Sequence, residues 1–143
     1  MIATLRLSLP SASRAGLANP AMAQNGWFRG NTAYGTSKGG IRLQTQNVAV
    51  DLAPYGIRVN CYGPTAIATN MVTDFIKQSD DPVAFEKALV STALIPRLGL
   101  PSEVGELVCF LASPESAFIN AAYILIDGGS LAWRGTAGDI GLG

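Results

Sequence analysis

Hydrophobic positions in this chain change period several times, and each change marks an element. Across residues 32–53 no proline occurs, and Ile41, Thr45, Val48 and Leu52 recur at helical spacing, which predicts a long helix with one buried stripe. Pro54 and Gly56 end it. The run IRVNCY at 57–62 is short and rich in strand formers, and Gly63–Pro64 stops it. Residues 66–94 read as one or two short helices broken near 80–82. A clearer amphipathic helix follows at 102–111, with Val104, Leu107, Val108 and Leu111 on one face. AYILI at 122–126 is a continuous apolar run closed by Asp127-Gly128-Gly129, the pattern of a buried parallel strand.

Strand, helix, strand, helices, strand is the order of an α/β sheet, expected here with right-handed crossovers. Such sheets bind ligands beyond the carboxyl ends of their strands. The residues after Leu9, Tyr62 and Ile126 are therefore the first candidates for function. No internal repeat or interdomain linker is evident, so residues 1–143 form a single domain. The stretch at 19–32 is rich in loop formers, and the four-glycine tail at 130–143 reads as loose.

Composition narrows the chemistry. The chain is 48% hydrophobic and 14% charged, and ten basic residues balance ten acidic ones, which gives no reason to expect nucleic acid or an anionic membrane as partner. Residues 1–50 hold five basic residues and no acid. That start reads as a damaged or truncated strand rather than a transit peptide. No apolar run approaches the ~18 residues of a membrane span, and the chain reads as cytoplasmic. Two cysteines, Cys61 and Cys109, sit in apolar runs and read as core residues rather than a disulfide. Histidine is absent, which removes Ser–His and Cys–His nucleophiles and most transition-metal sites. Proton transfer falls to Tyr, Lys or a carboxylate.

Tyr34 and Lys38 stand four residues apart, on one face of the predicted helix. A phenol is ordinarily too weak an acid to serve as a base at neutral pH, and a neighbouring ammonium favours its ionised form. Such a tyrosine can exchange a proton with an alcohol or ketone while hydride moves to or from a cofactor. With four Tyr and three Lys in the chain, one such pair arises by chance with a probability of about 0.08. The spacing alone is weak evidence.

Its surroundings are specific. AYGTSKGG at 33–40, LAPYGIRVNCYGPTAIATNM at 52–71 and IPRLGLPSEVGELVCFLASPESAFINAAYILIDGG at 95–129 follow one another. In this the sequence resembles the short-chain dehydrogenase/reductase family, from about residue 11 to about 133. The resemblance implies the C-terminal half of a Rossmann-like, doubly wound parallel sheet. It also implies an NAD- or NADP-dependent enzyme that interconverts a secondary alcohol and a ketone, acting on a small-molecule substrate and oligomeric in its complete form.

By that resemblance Tyr34 is the general acid/base, Lys38 also holds the ribose hydroxyls of the nucleotide, and Ser13 steadies the substrate oxygen. Ser13 is chosen over Ser11 because Gly16 follows it by three. Pro64, Ile67 and Thr69 belong to the loop that grips the nicotinamide, with Thr65 where the family has glycine. Thr69 is also an ordinary helix N-cap candidate. Asn60 and Asp127-Gly128-Gly129 read as structural. The segment 71–95 is the lid over the substrate, and Met71, Phe75, Phe85 and Leu89 suggest a partly apolar one.

No TGxxxGxG turn, the family's pyrophosphate cradle, occurs in the 143 residues. The expectation is thus an N-terminally truncated form with little activity of its own. The alternative is a non-catalytic fragment that joins full-length subunits. A sugar-nucleotide epimerase shares the Tyr–Lys pair, but the compact ending at 127–129 argues against it.

Overall fold

The computed structural model describes residues 14–18, 32–132 and 135–141. Strand β1 (Arg14–Ala18) is followed by helix α1 (Thr32–Leu52) and strand β2 (Ile57–Pro64). Then come α2 (Asn70–Lys77), α3 (Pro82–Val90), α4 (Pro101–Ala112) and β3 (Tyr123–Ile126). The strands form one parallel sheet in the order β1-β2-β3, so β2 is central.

Local chemistry explains the boundaries. A single turn of 3-10 helix over Ala53–Tyr55 ends α1, and Gly56 caps it at φ +65°, a left-handed conformation natural to glycine. Asp81 opens α3 by accepting the Ala84 N–H at 3.0 Å, with Pro82 in the first turn where a missing N–H costs nothing. Pro101 does the same for α4, and the Glu103 carboxylate reaches back 2.6 Å to the Leu100 N–H.

The core lies along β2. Val59 and Cys61 are buried, as are Thr45 and Ala49 of α1 and Leu111 of α4. Of the two cysteines, Cys61 is a core residue as expected, but Cys109 is exposed. Each helical step turns about 100°, so the residue between Val108 and Phe110 falls on the solvent side although its neighbours in sequence are apolar.

Residues three apart on β2 show which helix covers which face. The Cys61 thiol, raised by burial, meets the Thr45 hydroxyl of α1. The Arg58 guanidinium donates to the carbonyls of Leu111 at 2.8 Å and Ser113 at 3.2 Å, at the end of α4. Side chains alternate along a strand, so α1 and α4 lie on opposite faces. Both connections step the same way across the sheet, and helices on opposite faces then require opposite hands. Uniformly right-handed crossovers are therefore a wrong expectation. The rule reflects a strand feeding directly into its helix. After β2 the chain instead makes a parallel bridge between Ile67 and Gly99 and forms α2 and α3 before α4 begins.

Two polar side chains lock β2 to the turn before β3. Asn60, wholly buried, donates to the Ile119 carbonyl and accepts the Ala122 N–H, each at 3.0 Å. Arg58 donates to the same Ile119 carbonyl at 3.0 Å, and burial pulls its pKa down. Asn60 is thus structural in its contacts.

On the other face, the Tyr123 ring lies directly over Gly63, with the Arg42 guanidinium 5.7 Å from its centroid. A Cβ on Gly63 would overlap the Tyr123 hydroxyl and sit 2.9 Å from two ring carbons. Gly63→Ala is expected to cost about 1–3 kcal/mol by overpacking. Urea denaturation checks this: the loss should shrink when Tyr123→Leu is made in the same chain.

Candidate active site

α1 runs antiparallel to the strands, so its first turn stands at their carboxyl edge. Thr45 is level with Cys61. Seven residues back along the helix, a rise of ~10 Å, lies Lys38, about level with Pro64 three residues along the strand. Tyr34 is one turn further and clears the end of β2. Tyr34, Lys38 and Arg42 form one stripe that continues into Thr45 and Ala49.

Lys38 Nζ lies 5.3 Å from the Tyr34 ring centroid, over the ring. Tyr34 is 42% exposed at the carboxyl edge. The Ser37 hydroxyl donates to the Tyr34 carbonyl at 2.7 Å, which ties down the first turn. Ser13, the expected substrate-oxygen donor, lies outside the described residues, as do Leu9, Ser11 and the segment at 19–31. The first described strand begins only at Arg14, opposite Ile57 at the amino edge of the sheet, the edge away from Tyr34. β1 therefore does not bear out a donor placed just beyond a strand ending at Leu9.

The loop after β2 is the second part. Pro64 pairs with Ile126 and ends the strand, buried. Thr65, where a glycine was expected, takes no positive φ, so the position accepts a side chain. Ile67 is clamped by its neighbours: the Gly99 N–H donates to the Ala66 carbonyl at 2.9 Å, and the Ala68 N–H to the Gly99 carbonyl at 2.8 Å. A parallel bridge of this kind turns the N–H of Ile67 itself away from Gly99. That N–H has no partner among the described residues, while the carbonyl accepts from the Thr69 N–H at 2.7 Å. Thr69 is the N-cap of α2 by position, yet its side chain makes no capping bond. An open amide and an open hydroxyl thus sit two residues apart at the strand end.

The segment expected to form a lid divides into α2 and α3. Ile76 supplies its buried contact, whereas Met71 and Phe75 are exposed and the Phe75 and Phe85 rings stand 6.2 Å apart. Residues 127–129 close the sheet edge. Asp127 accepts the N–H groups of Gly129 and Leu131, both at 3.0 Å. Gly128 and Gly129 take φ +60° and +80° against residues 94 and 95. This turn is structural in its contacts.

Sequence reading missed the Arg97–Glu103 pair, which joins at 2.9 and 2.6 Å and pins the segment carrying Gly99. Its signal was a Glu three residues after Leu100 with Pro101 between them. Arg97 first, and the Leu100 N–H second, hold the Glu103 carboxyl down at about 2 from 4.5. A depressed carboxylate stabilises the fold above its unfolded pKa and loses that effect as pH falls through the folded one. The Leu100 amide resonance is therefore expected to titrate near pH 2, not near 4.5, with the clamp loosening across that window. NMR through an acid series checks it.

The family model described as enoyl-(acyl carrier protein) reductase matches residues 14–130. A cyclopentanol dehydrogenase from Comamonas sp. is 41% identical over 100 residues, covering 70% of this chain and 38% of the relative. The crystal structure of a short chain dehydrogenase family protein from Francisella tularensis superposes with a TM-score of 0.74 at 32% identity. It covers 83% of this chain and 51% of that one. This chain belongs to the short-chain dehydrogenase/reductase family.

A structure described as ElxO with NADP bound is 26% identical to this dehydrogenase/reductase chain, with a TM-score of 0.73 over 83% of this chain and 47% of that one. The chain spans about two fifths of the length of the curated relatives it matches. Its three described strands form part of a parallel sheet of the family's Rossmann type. Among its described residues no helix is long and apolar enough to cross a membrane, and no cluster of His, Cys, Asp or Glu could hold a metal.

Proposed function

We propose that this chain carries the catalytic part of an NAD- or NADP-dependent oxidoreductase that interconverts a secondary alcohol and a ketone. The observation that carries this reading is the Tyr34–Lys38 pair standing at the same sheet edge as the open Ile67 N–H and Thr69 hydroxyl. Similarity to a cyclopentanol dehydrogenase and to a structure with NADP bound supports the substrate class and the use of a nicotinamide nucleotide.

The residues fit such a nucleotide. A carboxamide has one oxygen that accepts and one nitrogen that donates, and Ile67 N–H and Thr69 Oγ1 can meet both. Pro64 ends the strand so that this loop turns across the edge. Lys38 binds the nicotinamide ribose through its hydroxyls. When bound, the nucleotide supplies or receives hydride. In the oxidative direction the Tyr34 phenolate takes the alcohol proton; in the reductive direction the phenol returns it to the forming alkoxide. The ammonium of Lys38 offsets the negative charge on the phenol oxygen.

An exposed stripe on α1, Leu43 and Val50 one heptad apart, supports the oligomeric assignment. It also suits the alternative, a non-catalytic subunit seated on complete ones. A fluorescence titration of the 143-residue chain with NADH and NADPH, followed by turnover assays on secondary alcohols, tests the enzymatic reading. Saturable nucleotide binding with turnover is the expected result on mixing with a full-length homologue whose own catalytic tyrosine is replaced by phenylalanine, with little turnover by the chain alone. Nucleotide binding without turnover in both settings would contradict it.

A further inference from the structure

Between the loop after β2, the end of α3 and the turn after β3 lies a cavity of about 580 Å³. This volume is in the range of small-molecule sites. Its walls are largely apolar: Ile67, Leu89, Val90, Ile95, Leu125 and Ile126. Ile95 and Leu125 are 54% and 41% exposed, so apolar surface faces water there. The loop at 65–67 forms one wall, and Tyr34 and Lys38 stand at the same carboxyl edge of the sheet.

Its charges decide what fits. Among the described lining residues, Arg97, Glu103 and Asp127 are ionisable, and each is already engaged. Arg97 makes two bonds to Glu103 and a third to the Leu98 carbonyl at 3.0 Å. Asp127 accepts from Gly129, Leu131 and, at 3.3 Å, the Ser130 hydroxyl. These lining charges leave no uncommitted cation to receive a carboxylate or phosphate, whose desolvation would go uncompensated. Thr65 and Thr92 bring hydroxyls that bond no described residue, enough to orient a single neutral oxygen.

We propose that this cavity receives the hydrocarbon part of an uncharged substrate, an aliphatic or alicyclic alcohol or ketone, and discriminates against anionic ones. The assignment rests on the dehydrogenase reading for its place in the reaction, while the selectivity follows from the described lining residues. The alternative occupant is the chain's own segment at 130–143.

Two dyes on one ring frame test it: uncharged N-phenyl-1-naphthylamine and 1-anilinonaphthalene-8-sulfonate, titrated into the 143-residue chain. The neutral dye is expected to bind at least about tenfold tighter, with cyclohexanone displacing it and cyclohexanecarboxylate not. Equal affinity, preference for the sulfonate, or binding of neither dye would overturn the proposal; the last would mean that the chain's own segment fills the cavity. Thr92 is exposed, so Thr92→Arg adds a cation at little cost to folding. It should raise sulfonate affinity about tenfold and leave the neutral dye within about threefold; an unchanged sulfonate affinity overturns the assignment. Should that variant not fold, Ile95→Trp fills the space, and unchanged neutral-dye affinity has the same force. An NADH titration on the same samples separates the two readings. Dye selectivity without nucleotide binding removes the dehydrogenase reading and leaves the cavity's preference standing, whereas nucleotide binding without dye selectivity removes the cavity assignment alone.

Discussion

Tyr34→Phe is expected to lower turnover by about 10²–10⁴-fold in any preparation that binds NADH or NADPH, with nucleotide affinity changed less than about threefold. The substitution removes one oxygen and keeps the ring over which Lys38 Nζ stands at 5.3 Å. Since Tyr34 is assigned to the proton and Lys38 to the ribose, the two positions should separate in kinetics. Lys38→Met should weaken nucleotide binding as well as turnover, and Tyr34→Phe should affect turnover alone. Steady-state kinetics beside a nucleotide titration read the difference. Near-normal turnover in Tyr34→Phe would remove this residue as the acid/base.

The largest effect on stability is expected at Arg58. Its guanidinium is buried and holds the carbonyls of Leu111, Ser113 and Ile119 at 2.8, 3.2 and 3.0 Å. One side chain thus ties the end of α4 and the approach to β3 onto the central strand. Hydrogen bonds from a charged donor are each worth more than neutral ones, and Arg58→Met leaves carbonyls short of a donor. The expected cost is about 3 kcal/mol, a large share of the stability of a small domain. Urea denaturation should show the midpoint falling by about 1.5 M. Arg58→Lys should recover little, because an ammonium cannot span three carbonyls as the planar guanidinium does.

The elements that pack directly on the sheet were legible because their periods are dictated by burial. In α1 the stripe at 41, 45, 48 and 52 marks the face turned to β2, and the structure buries Thr45 there. The proline and glycine after it ended the helix where the backbone chemistry says they must. β2 proved two residues longer than its apolar run, since Pro64, without an N–H, still takes the last position of the ladder opposite Ile126.

What stayed illegible depends on contacts between distant segments. The hand of the second crossover is set by the detour through the Ile67–Gly99 bridge, which no local pattern announces. The cavity draws its walls from the loop after β2, from α3 and from β3, whose residues share no spacing. Arg58 could have been suspected as a charge inside an otherwise apolar strand, but its three acceptors lie 53 to 61 residues away. The candidate site divides in the same way. Tyr34 and Lys38 follow from helix geometry and family resemblance, whereas the open Ile67 N–H emerges only when Gly99 has taken the flanking peptide groups.

In the proposed function, α1 and the loop after β2 together handle the nicotinamide end of the cofactor. Reduced nicotinamide mononucleotide carries only that end and has no need of a pyrophosphate cradle. Saturation-transfer NMR with the 143-residue chain should show contact at the nicotinamide and ribose protons, with affinity on the order of millimolar, and Lys38→Met should abolish the ribose signal. A folded chain that gives no transfer, or gives it unchanged without Lys38, would contradict the account.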